Sequence, residues 1–525
     1  MDWLDLFDIN LSLADERTPL YRRIVDAISG AIESGKLKAG DKLPTNRELA
    51  SKLKIDRSTA SRAYDELSSR GLIKSHVGRG TFVESTAPKV TAPNPVSYAA
   101  MPVRSGAIDW QNRYSSYASE LYSLMEKQPR LTQGGDVINF AAGIPARHSY
   151  PQEEFVDIMQ ELIKSSGESS LFEFSPASGE PALRAAVIKH LEKRQVIVRD
   201  SELMILSGSQ QGIDLMSNLF LNTHDLVVTE NPTYFWAISN FKARQADIVG
   251  CSLDDEGIRL DELESALMSG RVKFIYLMPS GQNPTGITMS FERRKAVLAL
   301  ARRFATPIFE DDFSGDLFYD GEPLPPLRAI SADASEHVIY QGTFSKALAP
   351  GIRLGWLVAP PPVIERLNFA KRGADLSTNS MAQAMLTEFL RRGSYDRHLA
   401  RINATYTLRR DAMLSALAQY FAGTGVTFTR PKGGLFLWLK LPDYMSARNL
   451  LTFAQRAGVS FSPGDLCYVS EPDASTIRLS FIQNDEDTIK EGVKRLYNAY
   501  KLYLAELEDK APKQTYGANA EHVLI

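Results

Sequence analysis

Cysteine is scarce in this chain of 525 residues, where only Cys251 and Cys467 occur. Two cysteines in so long a chain argue against a disulfide framework, and neither has a second thiol at metal-ligand spacing. The sequence also lacks an apolar run long enough to cross a membrane, and its first residues lack the basic and apolar regions of a signal peptide. We therefore expect a cytoplasmic protein with no membrane contact and no metal site.

A strong net charge is also missing, but the charge is unevenly distributed. The whole chain has a formal net charge of -3, whereas residues 17–84 contain 14 lysines and arginines and 8 acidic residues. A basic N-terminal region attached to an acidic remainder predicts that the N-terminal part binds a polyanion. The chain length predicts two or three domains, because a single hydrophobic core does not grow to this size.

Helical patterns fill the first part of the basic region. An apolar residue recurs at every fourth position from Leu20 to Ile32, which predicts an amphipathic helix. Thr45 and Glu48 have the spacing of a capping box that begins a second helix, and Asp56 is placed to cap a third. The short connection between the second and third helices is typical of a helix-turn-helix.

A hairpin with a glycine-rich basic tip is predicted from Leu72 to Val83, beside the helix-turn-helix. Together these segments resemble the winged-helix domain of the GntR family of transcriptional regulators. The motifs that carry the resemblance are residues 19–21, 40–50, 57–64 and 78–83. The resemblance implies that residues 12–84 form an α+β winged-helix domain that binds double-stranded operator DNA. It assigns the DNA contacts to Arg47, Arg57, Thr59, Arg62 and Arg79.

A proline-rich segment with no apolar period, residues 85–107, is predicted to be a linker. A helix is predicted from Ile108 to about Leu131. Beyond Asp136, short β-rich runs alternate with intervals of helix length, which predicts an α/β domain with a largely parallel sheet over residues 108–502. The predicted strands are Leu203–Leu206, Leu226–Thr229, Val272–Met278, Pro307–Phe309, Val338–Tyr340 and Leu354–Val358. Residues 503–525 are predicted to form a polar C-terminal tail.

Lys346 lies in a small-residue turn between the last two of these strands. A lysine that forms a Schiff base with an aldehyde needs a fixed turn and enough burial to lower its pKa. Arg353 and Thr343 provide a fork of donors and a hydroxyl for an anion beside it. The sequence around Lys346 therefore predicts a carbonyl-reactive amine next to an anion site.

Further polar residues follow the strands at their carboxyl ends, where ligands of parallel sheets bind. Residues 207–211 open a helix, and the free N–H groups of a helix N-terminus bind phosphate. Tyr234 follows the next strand and offers a ring for stacking. Asp311, or its neighbour Asp312, ends another strand, where a buried carboxylate requires a partner.

The ordered set of motifs resembles the class I and II aminotransferases, which have fold type I and bind pyridoxal 5'-phosphate. The resemblance spans residues 108–500 and is carried by the motifs at 207–211, 230–235, 279–286, 310–312, 341–356 and 476–481. It implies that Lys346 is the catalytic, cofactor-binding lysine and that Asp311 holds the pyridine nitrogen. The other implied cofactor contacts are Ser209, Gln210, Tyr234, Asn283, Thr343 and Arg353. By the same resemblance, Arg478 is the clamp for the carboxylate of an amino acid.

Two phenylalanines depart from the pattern of this family. Phe313 stands where related proteins often carry a tyrosine that faces a cofactor oxygen. Phe174 stands where a tyrosine commonly reaches the phosphate in the neighbouring subunit. Both changes remove a hydroxyl, so we expect cofactor binding to survive while efficient transamination is in doubt.

The combination of a GntR-type winged helix with an aminotransferase-like domain resembles the MocR subfamily of regulators. This resemblance implies a homodimer that binds a repeated or palindromic site and senses a small amine, amino acid or vitamer through aldimine chemistry at Lys346. Two alternatives remain open: a working aminotransferase that carries a DNA-binding domain, and a large domain that serves only as a dimerising scaffold. The sequence leaves undecided whether the protein is an enzyme, and the regulatory reading is favoured.

Overall fold

The computed structural model describes residues 20–69, 72–76, 80–84, 108, 110, 113–128, 136–165, 170–330 and 334–510. The chain divides into two compact units, residues 1–108 and 109–525. Each unit has a hydrophobic core of its own. The predicted linker, residues 85–107, lies outside the described residues.

The N-terminal unit contains three helices and a small antiparallel sheet. The helices are α1 (Leu20–Glu33), α2 (Asn46–Leu53) and α3 (Arg57–Ser69), and the strands are β1 (Lys42–Leu43), β2 (Ile73–His76) and β3 (Gly80–Val83). The strands pair in the order β1-β3-β2. This is the predicted helix-turn-helix with its wing.

Local sequence signals fix the helices of this unit. The capping box at the start of α2 is complete, because the Glu48 amide donates to Thr45 Oγ1 at 3.2 Å and the Thr45 amide donates to Glu48 Oε2 at 2.8 Å. Ile24 and Ile28 of α1 are fully buried in the unit's core. The Tyr64 hydroxyl of α3 donates to the carbonyl of Pro44 at 2.8 Å and ties α3 to the segment before α2.

The large unit alternates helices and strands, as predicted. Its helices are α4 (Ser116–Glu126), α5 (Gln152–Ser165), α6 (Pro181–Glu192), α7 (Ser209–Phe220), α8 (Phe235–Ala243), α9 (Leu260–Leu267), α10 (Phe291–Arg303), α11 (Ala334–His337), α12 (Pro361–Asp375), α13 (Ser380–Arg391), α14 (Ser394–Tyr420), α15 (Ala447–Arg456) and α16 (Glu486–Lys510). Short 3-10 turns occur at Arg147–Ser149, Ser170–Phe172, Asp200–Glu202, Leu327–Ala329, Pro350–Ile352 and Asp465–Cys467.

The strands of this unit are β4 (Ile138–Asn139), β5 (Leu203–Leu206), β6 (Leu226–Asn231), β7 (Asp247–Asp254), β8 (Gly257–Ile258), β9 (Val272–Leu277), β10 (Ile308–Asp311), β11 (Val338–Thr343), β12 (Gly355–Val358), β13 (Thr427–Phe428), β14 (Phe436–Lys440), β15 (Val459–Ser460), β16 (Ser462–Pro463) and β17 (Thr476–Ser480). Eight of them form the central sheet in the order β5-β12-β11-β10-β9-β6-β7-β8. Strands β11, β10, β9, β6 and β7 are parallel neighbours, which confirms the predicted α/β class. Strand β12 is antiparallel to both β11 and β5.

A second, antiparallel sheet of four strands, in the order β13-β14-β17-β16, belongs to a smaller lobe of the same unit. Strand β17 carries Arg478 and pairs with β14, where Trp438 faces it in register. Among the described residues, no helix is long and apolar enough to span a membrane.

Two predicted boundaries differ from the observed ones. The helix predicted from Ile108 to Leu131 is regular only from Ser116 to Glu126, and the Ser115 hydroxyl caps it by accepting from the Ala118 amide at 3.2 Å. The prediction was too long because Ile108 and Tyr114 are exposed and have no core to pack against. At the other end, α16 continues to Lys510, so the predicted start of the tail at residue 503 falls inside a helix.

Thr45→Ala should destabilise α2, because it removes the side chain that accepts from the Glu48 amide. We expect a loss of about 1 kcal/mol, or roughly fivefold faster amide hydrogen exchange in α2. Ser51→Ala is the matched control, since Ser51 is exposed in the middle of the same helix. Equal exchange rates in the two variants would show that the cap does not stabilise α2.

Candidate functional site

The turn after β11 holds Lys346 at the edge of the central sheet. Strand β12 returns beside β11, with Gly355 opposite Thr343, so both ends of the turn are fixed. Lys346 Nζ donates to the carbonyl of Gly143 at 2.9 Å. Burial, together with the charges of Arg478 and Arg353, lowers the pKa of Lys346 to about 8. The amine is therefore closer to its neutral, nucleophilic form than an exposed lysine.

A cradle for an anion lies where β5 meets α7. Gly208 precedes α7 with a φ of 88°, and a Cβ atom there would lie 2.5 Å from Arg353 Nη2. Arg353 Nη2 donates to the carbonyl of Ser207 at 3.3 Å, and its Nη1 donates to Ser345 Oγ at 3.4 Å. The helix N-terminus and the guanidinium thus converge beside the glycine, which is suited to phosphate.

Sequence reasoning missed Asp375, which positions this cradle from the end of α12. Its carboxylate accepts from Ser207 Oγ at 3.0 Å, from Gln211 Nε2 at 2.6 Å and from Lys371 Nζ at 3.0 Å. Gln211 in turn accepts from the Ser207 amide at 2.8 Å. No motif near Asp375 indicates this role, because Ser207 and Gln211 lie more than 150 residues away along the chain.

Asp311 ends β10 and is 2% exposed. Its Oδ2 accepts from the Tyr276 hydroxyl at 2.8 Å, while its Oδ1 has no partner among the described residues. Burial raises the pKa of Asp311 to about 7. Asp312 instead binds Arg194 at 2.8 Å and the Tyr340 hydroxyl at 2.7 Å. Asp312 Oδ1 also lacks a partner among the described residues, but the charge of Asp312 is paired with Arg194, so the geometry favours Asp311 as the carboxylate that is available to a ligand.

Arg478 reaches the site from β17 of the smaller lobe. Its Nη1 donates to Asn283 Oδ1 at 2.9 Å, and its Nη2 donates to the carbonyl of Ala141 at 3.1 Å. The guanidinium carbon lies 4.2 Å from the centre of the Phe436 ring, and Arg478 Nε has no hydrogen-bond partner among the described residues. The two lobes thus contribute adjacent groups, Arg478 and Asn283, to one site.

Tyr234 precedes α8 and faces the start of α7. Its hydroxyl donates to Gln210 Oε1 at 3.3 Å. Burial raises the pKa of Tyr234, and the nearby Asp311 carboxylate adds to the effect, so the phenol stays protonated. Gln210 therefore fixes the orientation of the aromatic ring at the sheet edge.

Two cavities meet at Lys346. One of about 510 Å³ contains the anion cradle, and the other of about 270 Å³ contains Asn283 and Arg478. Lys346, Tyr234 and Trp236 line both cavities. Eight of the residues predicted from the sequence for this site line one or both cavities: Ser209, Gln210, Tyr234, Asn283, Thr343, Lys346, Arg353 and Arg478. The ninth, Asp311, lines neither, but its charge acts on Lys346. The lining residues that sequence reasoning missed include Tyr117, Leu121, Gln128 and Trp236.

The two unusual phenylalanines have different environments. Phe313 is 7% exposed and packs in the main core, whereas Phe174 is 81% exposed. Tyr276, a residue of β9, donates its hydroxyl to Asp311. An exposed Phe174 leaves an apolar ring on the surface of the large unit.

The predicted DNA contacts lie on α2 and α3. Arg47, Arg57 and Arg62 are exposed, and Thr59 is half-buried. The Arg62 guanidinium lies 4.1 Å from the centre of the Tyr21 ring, which orients it. Arg79, at the predicted tip of the wing, lies outside the described residues. The described part of the set therefore forms a basic surface on the helix-turn-helix.

The fold and the site define an aminotransferase-type α/β unit joined to a winged-helix unit. Residues 135–496 match the model of the family "Aminotransferase class I and II", and residues 20–83 match "Bacterial regulatory proteins, gntR family". The chain belongs to the class I and II aminotransferase family and carries a GntR domain at its N-terminus. This fusion identifies it as a regulator of the MocR type.

Several known proteins are similar to the chain. The HTH-type transcriptional regulator YisV of Bacillus subtilis is 32% identical, and the match covers 91% of this chain and 95% of YisV. The aromatic-amino-acid aminotransferase 1 of Thermococcus litoralis is 38% identical, over 73% of this chain and 92% of that protein. The crystal structure of a multiple substrate aminotransferase from Thermococcus profundus matches with a TM-score of 0.70 and 36% identity, and covers 76% of this chain and 100% of that one.

The lowered pKa of Lys346 predicts its chemical reactivity. Trace acetylation of the full chain, followed by peptide mass spectrometry, should label Lys346 increasingly as the pH rises, with an inflection at about pH 8. Arg478→Gln should move this inflection to higher pH, because a lost positive charge favours the protonated amine. Lys440 is the internal control, since its hydrogen bond to Asp443 and the charge of Asp473 raise its pKa. An inflection of Lys346 at or above that of Lys440 would contradict the prediction.

Proposed function

We propose that DNA binding by this regulator depends on pyridoxal 5'-phosphate held at Lys346 and on an amine, amino acid or vitamer that reacts there. The observation that carries the proposal is the pairing of a lysine of lowered pKa with Asp311, whose buried Oδ1 has no partner among the described residues. The anion cradle, where a Cβ atom on Gly208 would contact Arg353, supports the same cofactor by offering a site for its phosphate. These three features match an aldehyde, a protonated ring nitrogen and a phosphate.

When bound, the cofactor supplies an aldehyde for the lysine amine and a ring that withdraws electrons. The N-terminus of α7, with Ser209, binds the phosphate together with Arg353 and Thr343. Asp311 accepts the ring N–H, which satisfies its free oxygen. Tyr234, oriented by Gln210, stacks against the ring.

Asn283 and Arg478 bind the two groups that remain, which are the phenolic oxygen of the cofactor and the carboxylate of the ligand. Asn283 Oδ1 already accepts from Arg478, so its amide nitrogen is available to donate to the phenolic oxygen of the cofactor. The Arg478 guanidinium binds the carboxylate of an amino acid ligand through its planar fork. A ligand that binds Arg478 from the smaller lobe and Lys346 from the larger lobe stabilises the arrangement in which the lobes are close. This gives the ligand a differential affinity for two states, which is the requirement for a sensor.

The assembly that follows is a homodimer on a repeated or palindromic operator in the cytoplasm, where the DNA is located. The homodimer is expected because the cofactor sites of fold-type I proteins lie at the interface between two subunits. Arg47, Arg57 and Arg62 bind phosphates or base edges of the duplex, and Thr59 lies on the same helix as two of them. Two copies of this basic surface, related by a two-fold axis, match two half-sites.

A second candidate function is transamination. The specific observation in its favour is that eight of the nine predicted site residues line one or both of the two cavities that meet at Lys346. Turnover of an amino acid with a keto acid at ordinary enzymatic rates would favour this function. The phenylalanine at position 313 counts against it, because a buried ring there offers no hydroxyl.

The role of Lys346 is tested by replacing it with alanine and, separately, with arginine. With pyridoxal 5'-phosphate, the native protein should gain visible absorption and, after borohydride reduction, the mass of the attached cofactor. Both variants should lose both signals, and arginine controls for the loss of charge. They should still bind their own upstream DNA but lose the change in affinity on adding cofactor or amino acids. Native-like responses in both variants would refute the proposal.

Arg57→Ala should weaken binding to operator DNA and reduce the slope of log affinity against log salt by about 1, if Arg57 contacts one phosphate. Fluorescence anisotropy at several salt concentrations measures both quantities. Lys36→Ala is the control, because Lys36 is exposed on the same unit and lies outside the DNA motifs. Identical slopes for the two variants would remove Arg57 from the interface.

A further inference from the structure

Helix α4 borders both cavities of the candidate site. Tyr117 and Leu121 of this helix line the cavity of about 510 Å³, next to Ser209 and Arg353. Gln128, two residues beyond the end of α4, lines the cavity of about 270 Å³ that contains Arg478. One short segment thus forms a wall for the phosphate half and for the amino acid half of the site.

Most side chains of this helix are exposed or half-buried. Of its residues, Leu124 is buried, while Tyr122 is 65% exposed. The Tyr117 ring lies 4.4 Å from the Arg244 guanidinium, which Asp214 binds at 3.1 Å. A helix with one buried side chain has low local stability, so a ligand can change its order or position at small cost.

The segment after α4, Lys127 and Gln128, is joined to the rest of the large unit by a hydrogen bond from Arg448. Arg448 Nη2 donates to the carbonyl of Lys127 at 2.9 Å, next to Gln128. Helix α4 packs on α8, whose Trp236 lines both cavities. A group that fills either cavity therefore contacts α4 or the helix on which it rests.

Chain connectivity gives α4 a second property. It is the first helix of the large unit, and it follows directly from the segment that joins this unit to the winged helix. Any change in the order or position of α4 therefore acts on the C-terminal end of that connection. No other helix of the large unit has this place in the chain among the described residues.

We propose that helix α4 transmits occupancy of the two cavities to the DNA-binding unit. A phosphate-bearing cofactor contacts Tyr117 and Leu121, an amino acid contacts Gln128, and both restrain α4 and hence the chain that leads to the winged helix. This inference rests on the proposed function, because it takes the site at Lys346 as the sensing site. It adds the element through which sensing reaches the DNA.

Hydrogen exchange of the full chain, with pyridoxal 5'-phosphate as the probe, tests the inference. Visible absorption, exchange at residues 116–128 and affinity for the upstream DNA are measured on the same samples. We expect the cofactor to slow exchange in this segment by about threefold or more and to change the DNA affinity in parallel.

Arg244→Met is the informative variant, because it removes the guanidinium that packs on Tyr117 while Arg244 itself lines neither cavity. It should speed exchange in α4 and reduce the effect of cofactor on DNA affinity. Arg303→Met is the matched control, since it removes an exposed guanidinium that lies 5.1 Å from the Phe304 ring.

The outcomes separate the two proposals. Visible absorption without any change in α4 exchange overturns the role of α4 and leaves the proposed function standing. The same holds if Arg244→Met and Arg303→Met respond to cofactor alike. Absence of the absorption overturns the proposed function, and the inference about α4 fails with it.

Discussion

The rest of the site depends on a carboxylate that is buried without a full set of partners. Asp311 is 2% exposed, and one of its oxygens is bonded to the Tyr276 hydroxyl while the other has no partner among the described residues. An unsatisfied buried polar atom costs about 1–3 kcal/mol, which the surrounding core does not recover. Asp312, one residue further, also has one oxygen without a partner among the described residues, but its other oxygen is bonded to the Arg194 guanidinium and the Tyr340 hydroxyl. Asp311 has a neutral hydroxyl as its partner instead of a cation, and this difference suits Asp311 to a ligand that brings its own N–H donor.

The topology of the sheet explains why groups far apart in sequence converge on this carboxylate. Asp311 is in register with Gln341 of the parallel neighbour β11, so the turn that carries Lys346 begins beside the end of β10. Strand β12 runs back along β11 to β5, which brings Arg353 to the N-terminus of α7. Parallel pairing places the strand ends on one edge, and the antiparallel β12 closes the cradle from the same edge.

Residues in local motifs were predictable from the sequence, because their roles depend on short-range geometry. Lys346 in its turn and the capping box of Thr45 are of this kind. Asp375 and Trp236 were not predictable, because they reach the site from helices whose sequences have no distinctive pattern. Their roles arise from contacts between distant segments, such as the bond between Asp375 and Ser207.

The apolar spacing within α4 was misleading for a related reason. Its aromatic and aliphatic residues have the spacing of an amphipathic helix, and such spacing indicates a buried face. In the structure, Leu124 is the buried residue of the helix, and Tyr117 faces a cavity and a guanidinium instead of a core. A pattern of apolar residues does not distinguish a face that packs on protein from a face that lines a ligand cavity.

Sensing and catalysis place different demands on the same set of residues. An enzyme gains rate from interactions that are stronger in the transition state than with the bound substrate. A sensor instead uses ligand binding energy to shift an equilibrium between two states of the protein, and the shift cannot exceed the difference in affinity. Energy that restrains α4 or draws Arg478 toward Lys346 on ligand binding is not available to lower a chemical barrier. A weakly held wall beside an otherwise complete site is therefore better suited to a regulator than to an efficient transaminase.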